Sequence, residues 1–219
     1  MKMKNVAAVA MAGCMAASLA ACGGSASSAA STETSTAAST EAATGEESTG
    51  VASGFTVQLG SNPETLDPAL NNAIDGANTL ITVFEPLLLI DENNEVIPGQ
   101  AESYTVSEDG LTWTFTMRDG LKWSDGSDLT AKDFEYSFKR LAAPDTAAPY
   151  AETVVGMIDG YADATGNPDK QGNMTTEPDF DALNVVASED GKTLTVTLSY
   201  PCAYFDKLAA FAAMSPVQQ

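Results

Sequence analysis

The chain has 219 residues, of which 30 are acidic and only 10 are lysine or arginine, so its formal net charge at pH 7 is −20. Such an acidic balance argues against nucleic acid or an anionic membrane surface as the partner. The chain contains no histidine, which excludes catalytic triads built on that residue and most zinc or nickel sites.

The start of the chain predicts an exported protein. Lys2 and Lys4 precede an apolar run that closes with Leu-Ala-Ala-Cys at residues 19–22. A basic start, a short apolar run and small residues are typical of a secretory signal, whereas a membrane span needs about 20 apolar residues. Residues 1–21 are therefore predicted to be a signal peptide.

Residues 22–54 are predicted to be a disordered tether. Beyond Cys22 the segment is almost wholly Gly, Ser, Ala, Thr and Glu, and Val51 is its only larger apolar residue. Such a composition cannot bury enough apolar surface to offset the entropy of ordering.

Cys202 is the one cysteine further along the chain, so no disulfide is expected despite export.

The ordered part is predicted to begin at residue 55. Phe55–Leu59 alternates apolar and polar residues as a strand does. Ser61–Pro68 carries two prolines and reads as a loop. A helix should follow and end before Pro86, and Leu87–Ile90 is expected to form a short strand. The predicted apolar face of that helix comprises Ala77, Leu80, Ile81 and Phe84.

The clearest pattern lies between Ile97 and Leu141. From Leu111 to Met117 apolar residues alternate with threonines, the period-two pattern of a strand with one buried face. Trp113 lies on that apolar face and is expected to be core. The Ser107–Gly110 turn predicts a hairpin with the segment before it.

A helix is predicted to start at Thr130. Thr130 and Asp133 have the spacing of a capping box, and Pro144 should stop the helix. Glu135 and Lys139 are one turn apart and are expected to pair on the solvent side. The apolar stripe comprises Phe134, Phe138 and Leu141.

The pattern of the first hairpin recurs. Ser188–Leu198 repeats the Ser-Glu-Asp-Gly turn and the threonine alternation of Ser107–Met117. Two copies do not indicate a solenoid, so we expect two similar hairpins in one antiparallel sheet. A last helix is predicted, with an apolar stripe made of Tyr204, Leu208 and Phe211.

Two groups of carboxylates have the residue types used as acid and base in glycoside cleavage. Asp125 with Asp128 forms one, and Asp91 with Glu92 and Glu95 forms the other. Both lie in turns containing Gly or Asn, where aspartate bonds to its own backbone. A structural role is favoured, and no catalytic residue, metal site or cofactor is predicted.

Three motifs in order carry a resemblance to a known family: Pro-Gly-x-Ala-Glu-Ser from Pro98, Arg-Asp-Gly-x-Lys-Trp-x-Asp-Gly from Arg118, and Leu-Thr-Ala-x-Asp-Phe-x-x-Ser-x-x-Arg-Leu from Leu129. The chain from about Phe55 to Val217 resembles the dipeptide and oligopeptide solute-binding proteins of family 5. These are the extracytoplasmic receptors of ATP-driven importers.

The resemblance implies the α+β and α/β architecture of a periplasmic-binding-protein-like (type II) fold. Residues 55–84 would begin the first ligand-binding lobe, with its first strand, and residues 85–219 would form an α+β subdomain with a mixed, largely antiparallel sheet and flanking helices. Members of the family are more than twice as long as this chain. The chain is therefore expected to be an N-terminal fragment that ends before the second lobe.

The resemblance also implies a function and a site. The protein would capture peptides and deliver them to the permease of an ABC importer, acting as a monomer. Main-chain contacts to an extended peptide would come from Asn72, Ala73 and Ile74, and Tyr150 would line the pocket. Asn72 stands where relatives have an acid, so no salt bridge to a basic ligand group is implied. The alternative for Tyr150 is a half-buried loop aromatic.

Residues 19–22 further resemble the bacterial lipobox, which implies a lipid-carrying Cys22 anchored to the outer face of the cell membrane. An ordinary cleaved signal with a chance cysteine is the alternative. For the function, three alternatives remain open: a family member that binds a nickel chelate, haem or an oligosaccharide, an exported enzyme such as a glycosidase, and a lipid-anchored scaffold.

Overall fold

The structure is a computed structural model that describes Gln58 and residues 60–219. These residues belong to one compact unit that spans Gly54–Gln219. The predicted signal peptide, Cys22 and the tether lie outside the described residues, as does the predicted strand Phe55–Leu59 apart from Gln58. None of the described helices is long and apolar enough to cross a membrane.

The secondary structure of the described residues consists of short helices and short strands. The helices, in chain order, are α1 (Ile74–Val83), α2 (Ala131–Ala142), α3 (Ala151–Val155), α4 (Tyr161–Ala164) and α5 (Phe205–Leu208). The strands are β1 (Leu88–Ile90), β2 (Val96–Pro98), β3 (Ala101–Val106), β4 (Thr112–Met117), β5 (Val185–Ala187) and β6 (Thr193–Thr197). Single 3₁₀ turns occupy Pro144–Thr146, Phe180–Ala182 and Ala212–Met214.

Four strands form one antiparallel sheet in the order β3-β4-β6-β5, and β1 pairs with β2 in a separate two-stranded sheet. Because β4 pairs with β6, the two hairpins that share the Ser-Glu-Asp-Gly turn lie side by side. Threonines of β4 and β6 stand opposite one another on one face, and the apolar residues share the other. The prediction of two similar hairpins in one antiparallel sheet is confirmed.

The two hairpin turns are built alike. In Ser107–Gly110 and in Ser188–Gly191 the serine hydroxyl donates to the aspartate two residues later, over 2.5 and 2.6 Å. Each of those aspartates also accepts the amide two residues further on, over 3.0 and 3.1 Å. The glycines that close the turns have φ of 73° and 70°, a left-handed conformation that glycine adopts without a steric penalty. The repeated sequence thus encodes one repeated turn.

The core lies between the apolar face of the sheet and α2. Trp113 and Phe115 of β4 are buried, as are Leu194 and Val196 of β6, and α2 packs against β5 and β6. The predicted stripe of α2 is buried throughout and consists of Phe134, Phe138 and Leu141. The expectation that Trp113 is core is therefore confirmed, together with the predicted buried face of α2.

Helix α2 begins and ends as predicted. The Thr130 hydroxyl accepts the amide of Lys132 at 3.3 Å, and the Asp133 carboxylate accepts the amide of Thr130 at 2.7 Å. The helix ends at Ala142, and Pro144 opens the next turn.

The prediction for Lys139 was half right. Its ammonium does pair with Glu135, at 2.8 Å, but Lys139 is buried rather than on the solvent side. A second carboxylate, Asp181, lies 3.0 Å from the same ammonium and covers it. Burial alone would lower the pKa of Lys139, but the hydrogen bonds to Glu135 and Asp181 outweigh burial and raise it.

Two predicted apolar stripes were wrong in part. In α5 Phe205 is buried and Leu208 of the predicted stripe packs against the core, whereas Tyr204 and Phe211, on either side of the helix, are exposed. The buried face of α5 is shifted by one residue from the predicted face, because the ring of Phe205 packs on that of Trp113, with ring centroids 5.3 Å apart. Helix α1 stops at Val83, one residue before Phe84. The only apolar side chain that α1 buries is that of Leu80.

Candidate functional site

The predicted peptide-binding segment, Asn72 to Ile74, follows a loop that is tied to the core. The Asp67 carboxylate in that loop accepts two hydrogen bonds from Arg140 of α2, over 3.0 and 2.5 Å. It also accepts the amide of Ala69 at 3.0 Å. The hydrogen bond from Arg140 lowers the pKa of Asp67 below its usual value, although partial burial opposes this shift. The loop is thus anchored to α2 by a charged, two-pronged contact.

Beyond the loop, the Asn71 side chain holds the backbone of Ala73. Asn71 Nδ2 donates to the Ala73 carbonyl at 3.1 Å, and the Ala73 amide donates to Asn71 Oδ1 over a long 3.5 Å. Ala73 is the N-cap residue of α1 and is extended, with φ −119° and ψ 149°. One side-chain amide therefore bonds both main-chain polar groups of one extended residue.

Asn71 and the first turn of α1 together fix which main-chain groups of the segment face outward, because the Ala73 carbonyl also accepts the Ala77 amide at 3.0 Å. In a trans peptide the N–H and C=O point in opposite directions. Because the Ala73 amide and carbonyl point towards Asn71, the Asn72 carbonyl and the Ile74 amide point away from it. Within the described residues neither group has a hydrogen-bond partner. Asn72 is exposed and Ile74 is 81% exposed, so both groups lie where a ligand can reach them.

Tyr150 lies elsewhere in the chain but borders the same region. It is the residue before α3, it is half-buried, and its ring packs edge-on against Phe211 at 5.5 Å. Phe211 leads into the 3₁₀ turn Ala212–Met214, which contacts α1. In the described part of the chain no hydrogen bond joins Tyr150 to Asn72, Ala73 or Ile74. Tyr150 and the segment from Asn72 to Ile74 therefore approach each other through Phe211 and the turn that follows it, without a hydrogen bond between them among the described residues.

One cavity in the described part of the chain was not identified from the sequence. Its volume is about 680 Å³, and its apolar wall includes Phe84, Trp123 and Leu129. Two of its residues carry a buried polar atom that has no hydrogen-bond partner among the described residues: Gln100 Oε1 and Trp123 Nε1. Trp123 lies half-buried against the core. No local pattern indicates that its indole N–H would lack a hydrogen-bond partner among the described residues.

Two of the carboxylates considered for glycoside cleavage, Asp125 and Asp91, stabilise turns. Hydrogen bonds from the Ser127 hydroxyl and amide and from Gln218 lower the pKa of Asp125 to about 2. The backbone amides of Glu95 and Asn93 and the Asn93 side chain lower the pKa of Asp91. A general acid in glycoside cleavage needs a raised pKa. The environments of these two aspartates shift the pKa in the opposite direction.

Comparison with known proteins decides the family. The family described as bacterial extracellular solute-binding proteins, family 5 Middle, matches residues 95–219, more than half of the chain. The chain belongs to the family 5 solute-binding proteins. The expected family and the expected type II fold are thus confirmed.

Curated family 5 relatives align over most of this chain. The periplasmic oligopeptide-binding protein OppA of Salmonella typhimurium is 39% identical over 159 residues, which cover 72% of this chain and 27% of OppA. The dipeptide-binding protein of Lactococcus lactis subsp. cremoris is 37% identical over 137 residues, covering 63% and 23% of the two chains. The chain spans about a quarter of the length of these family 5 relatives.

Solved structures of family 5 proteins share the fold. The Escherichia coli murein tripeptide-binding protein MppA superposes with a TM-score of 0.62 at 34% identity, over 71% of this chain and 29% of MppA. Haemophilus influenzae OppA in complex with RPPGFSPFR superposes with a TM-score of 0.64 at 29% identity, over 73% and 29% of the chains. The antiparallel sheet and flanking helices described above are therefore part of the type II architecture.

Asp67→Asn is expected to lower the free energy of unfolding by about 1–2 kcal/mol at pH 7, because hydrogen bonds to charged groups are the stronger ones. The pKa of Asp67 is lowered in the folded protein. Its contribution is therefore complete above the unfolded pKa, near 3.8, and is lost as the pH falls through the lower folded value. The free energies of unfolding of the wild type and the variant, measured with denaturant, should thus begin to converge as the pH falls below about 4.

Asp119→Asn is the matched control. Asp119 pairs with Lys192 at 3.0 Å, but its side chain is 92% exposed. Surface pairs contribute at most about 1 kcal/mol. If the free energies of unfolding of the wild type and Asp67→Asn differ as much at pH 3 as at pH 7, the assigned role of the Asp67 charge is contradicted.

Proposed function

We propose that the complete protein is the extracytoplasmic peptide-binding component of an ABC importer. It captures peptides, delivers them to the permease and is held at the outer face of the cell membrane by lipid on Cys22. In this proposal Asn72, Ala73 and Ile74 contact the main chain of the peptide, and Tyr150 lines the pocket. The protein acts as a monomer and not as an enzyme.

The observation that carries this proposal is the outward-facing pair formed by the Asn72 carbonyl and the Ile74 amide. An extended peptide offers the complementary N–H and C=O at every residue, whatever its side chains. A receptor that bonds backbone in this way accepts peptides of many sequences. The naming of family 5 relatives as oligopeptide- or dipeptide-binding proteins supports the same ligand class.

Native mass spectrometry of the product of the complete gene, purified from its own host without refolding, tests the ligand class. We expect masses above that of the protein alone, and peptides of a few residues released on denaturation. A ligand-free mass that also fails to shift with a mixed peptide library would contradict the proposal.

A second candidate ligand is an amphipathic, non-peptide solute. The probable deoxycholate-binding periplasmic protein YgiS of Escherichia coli is 34% identical over 157 residues. The cavity beside Trp123 supports this candidate, because an apolar wall with a few polar atoms is typical of small-molecule sites. Release of a single non-peptide mass in the same experiment would favour it over a peptide.

A further inference from the structure

We propose that Asn71 is a positioning residue for peptide binding, and that Gly76 provides the space it needs. The Asn71 side chain occupies the place of a neighbouring strand on one side of Ala73, so that the peptide ligand adds on the other side. This inference rests on the proposed function. It adds two residues that do not themselves touch the ligand.

The geometry of the Asn71 amide is that of a strand partner. A residue in a β-ladder presents one N–H and one C=O to its neighbour, and Asn71 presents Nδ2 and Oδ1 to Ala73 in the same way, at 3.1 and 3.5 Å. The peptide plane before Ala73 is thereby oriented, and the plane after it is oriented by Asn71 together with the Ala77 amide, which donates to the Ala73 carbonyl at 3.0 Å. The Asn72 carbonyl and the Ile74 amide are turned outward together, which is the pair of groups that an added strand would use.

Asn71 is itself held in place. Asn71 is only 9% exposed, and its backbone N–H donates to the backbone carbonyl of Asp67 at 3.1 Å. Asp67 is in turn held by Arg140 of α2. A continuous set of contacts thus runs from the core to the ligand-facing groups. Fixing these groups before the peptide arrives strengthens binding, since less ordering remains to be done on association.

Gly76 is the residue that admits the Asn71 side chain. A Cβ atom at position 76 would lie 1.9 Å from Asn71 Oδ1 and 2.8 Å from its Cγ, and 3.4 Å from the Thr65 carbonyl. Glycine inside a helix is unfavourable relative to alanine. The buried Gly76 in the first turn of α1 therefore has a specific use, which is to leave room for the side chain that orients Ala73.

Calorimetric titration of the complete gene product with oligoalanines of two to five residues tests the inference. The tightest of these is compared with its singly N-methylated forms, each of which lacks one amide donor. For the wild type we expect one N-methylation to weaken binding by about tenfold, the effect of one lost hydrogen bond. In Asn71→Leu the unmodified peptide should bind about tenfold more weakly, and the same N-methylation should cost less than about threefold.

The matched control is Asn78→Leu, an exposed asparagine on α1, which should leave all affinities unchanged. A purely structural role of Asn71 would lower the melting temperature but leave the N-methylation effect at its wild-type size, and that result would overturn the inference. If the wild type binds no oligoalanine, the proposed function fails, and the inference fails with it.

A second set of variants remains informative if Asn71→Leu does not fold. Gly76→Ala alone should weaken oligoalanine binding by about tenfold, because it displaces Asn71. In the Asn71→Ala background the displaced atoms are absent, so adding Gly76→Ala should change affinity by less than about twofold. Additive effects of the two substitutions would overturn the proposed coupling.

Discussion

Phe115→Ala is expected to lower the free energy of unfolding by about 3–5 kcal/mol, the cost of removing a large aromatic ring from a packed core. Phe115 is fully buried in β4. Its ring centroid lies 5.8 Å from that of Tyr104 and 6.4 Å from those of Trp113 and Phe205. Scanning calorimetry should show a melting temperature lower by on the order of 10 °C, from about 2–4 °C per kcal/mol in a domain of this size.

Phe180→Ala is the control for this prediction because it makes the same change at a surface position. Phe180 is 40% exposed and contacts one ring, that of Tyr136, at 6.1 Å. We expect Phe180→Ala to lower the free energy of unfolding by roughly 1 kcal/mol or less, as for a half-exposed side chain. Equal losses from the two substitutions would show that the aromatic cluster on β4 is not the centre of the core.

Lys139→Ala is expected to lower the free energy of unfolding by about 3 kcal/mol, because removing Lys139 leaves the Glu135 carboxylate, only 26% exposed, without its partner, whereas Asp181 stays solvated. The ammonium of Lys139 lies 2.8 Å from Glu135 and 3.0 Å from Asp181, and the Lys139 side chain is only 10% exposed. Denaturant unfolding at pH 7 measures the loss. Adding Glu135→Gln to Lys139→Ala should recover part of it, since the stranded carboxylate becomes neutral.

Lys122→Ala provides the comparison at the surface. Lys122 pairs with Asp128 at 2.5 Å, but the two side chains are 52% and 75% exposed. Water screens such a pair, so the expected cost is about 0–1 kcal/mol. A Lys139→Ala cost as small as that of Lys122→Ala would mean that burial does not strengthen the contacts of Lys139.

The sheet and α2 could be predicted from the sequence because their signals are local. Threonine alternation, the two Ser-Glu-Asp-Gly turns and the Thr130 capping box each need only a few neighbouring residues. The rotation of α5 could not be predicted, because it depends on Phe205 packing against Trp113, which lies 92 positions earlier in the sequence. A helix of one turn contains too few residues for its own pattern to fix its buried face.

The candidate site, too, has features that were predicted and features that were not. The position of the segment from Asn72 to Ile74 was predicted only through the family resemblance. The roles of Asn71 and Gly76 had no sequence signal, since an asparagine and a glycine five residues apart form no recognisable motif. The contact between Asp67 and Arg140 joins residues 73 positions apart, and the burial of Lys139 depends on Asp181, 42 positions away. Long-range pairings of charged groups are visible only once the chain is folded.

The Glu135 carboxylate that pairs with Lys139 also controls what the outer edge of the sheet can do. Asn184 and Ser188 bond to β6, so the alternate residues Val185 and Ala187 direct their amides away from the sheet. The Val185 amide donates to the Leu183 carbonyl at 2.7 Å, and the Ala187 amide donates to Glu135 at 2.9 Å. Both donors that a foreign strand would need are occupied, which protects against edge-to-edge aggregation. Loss of Lys139 would remove the ion pair that holds Glu135 in place, so only the Ala187 amide at this edge would lose its support, while the Val185 amide would stay bonded to Leu183.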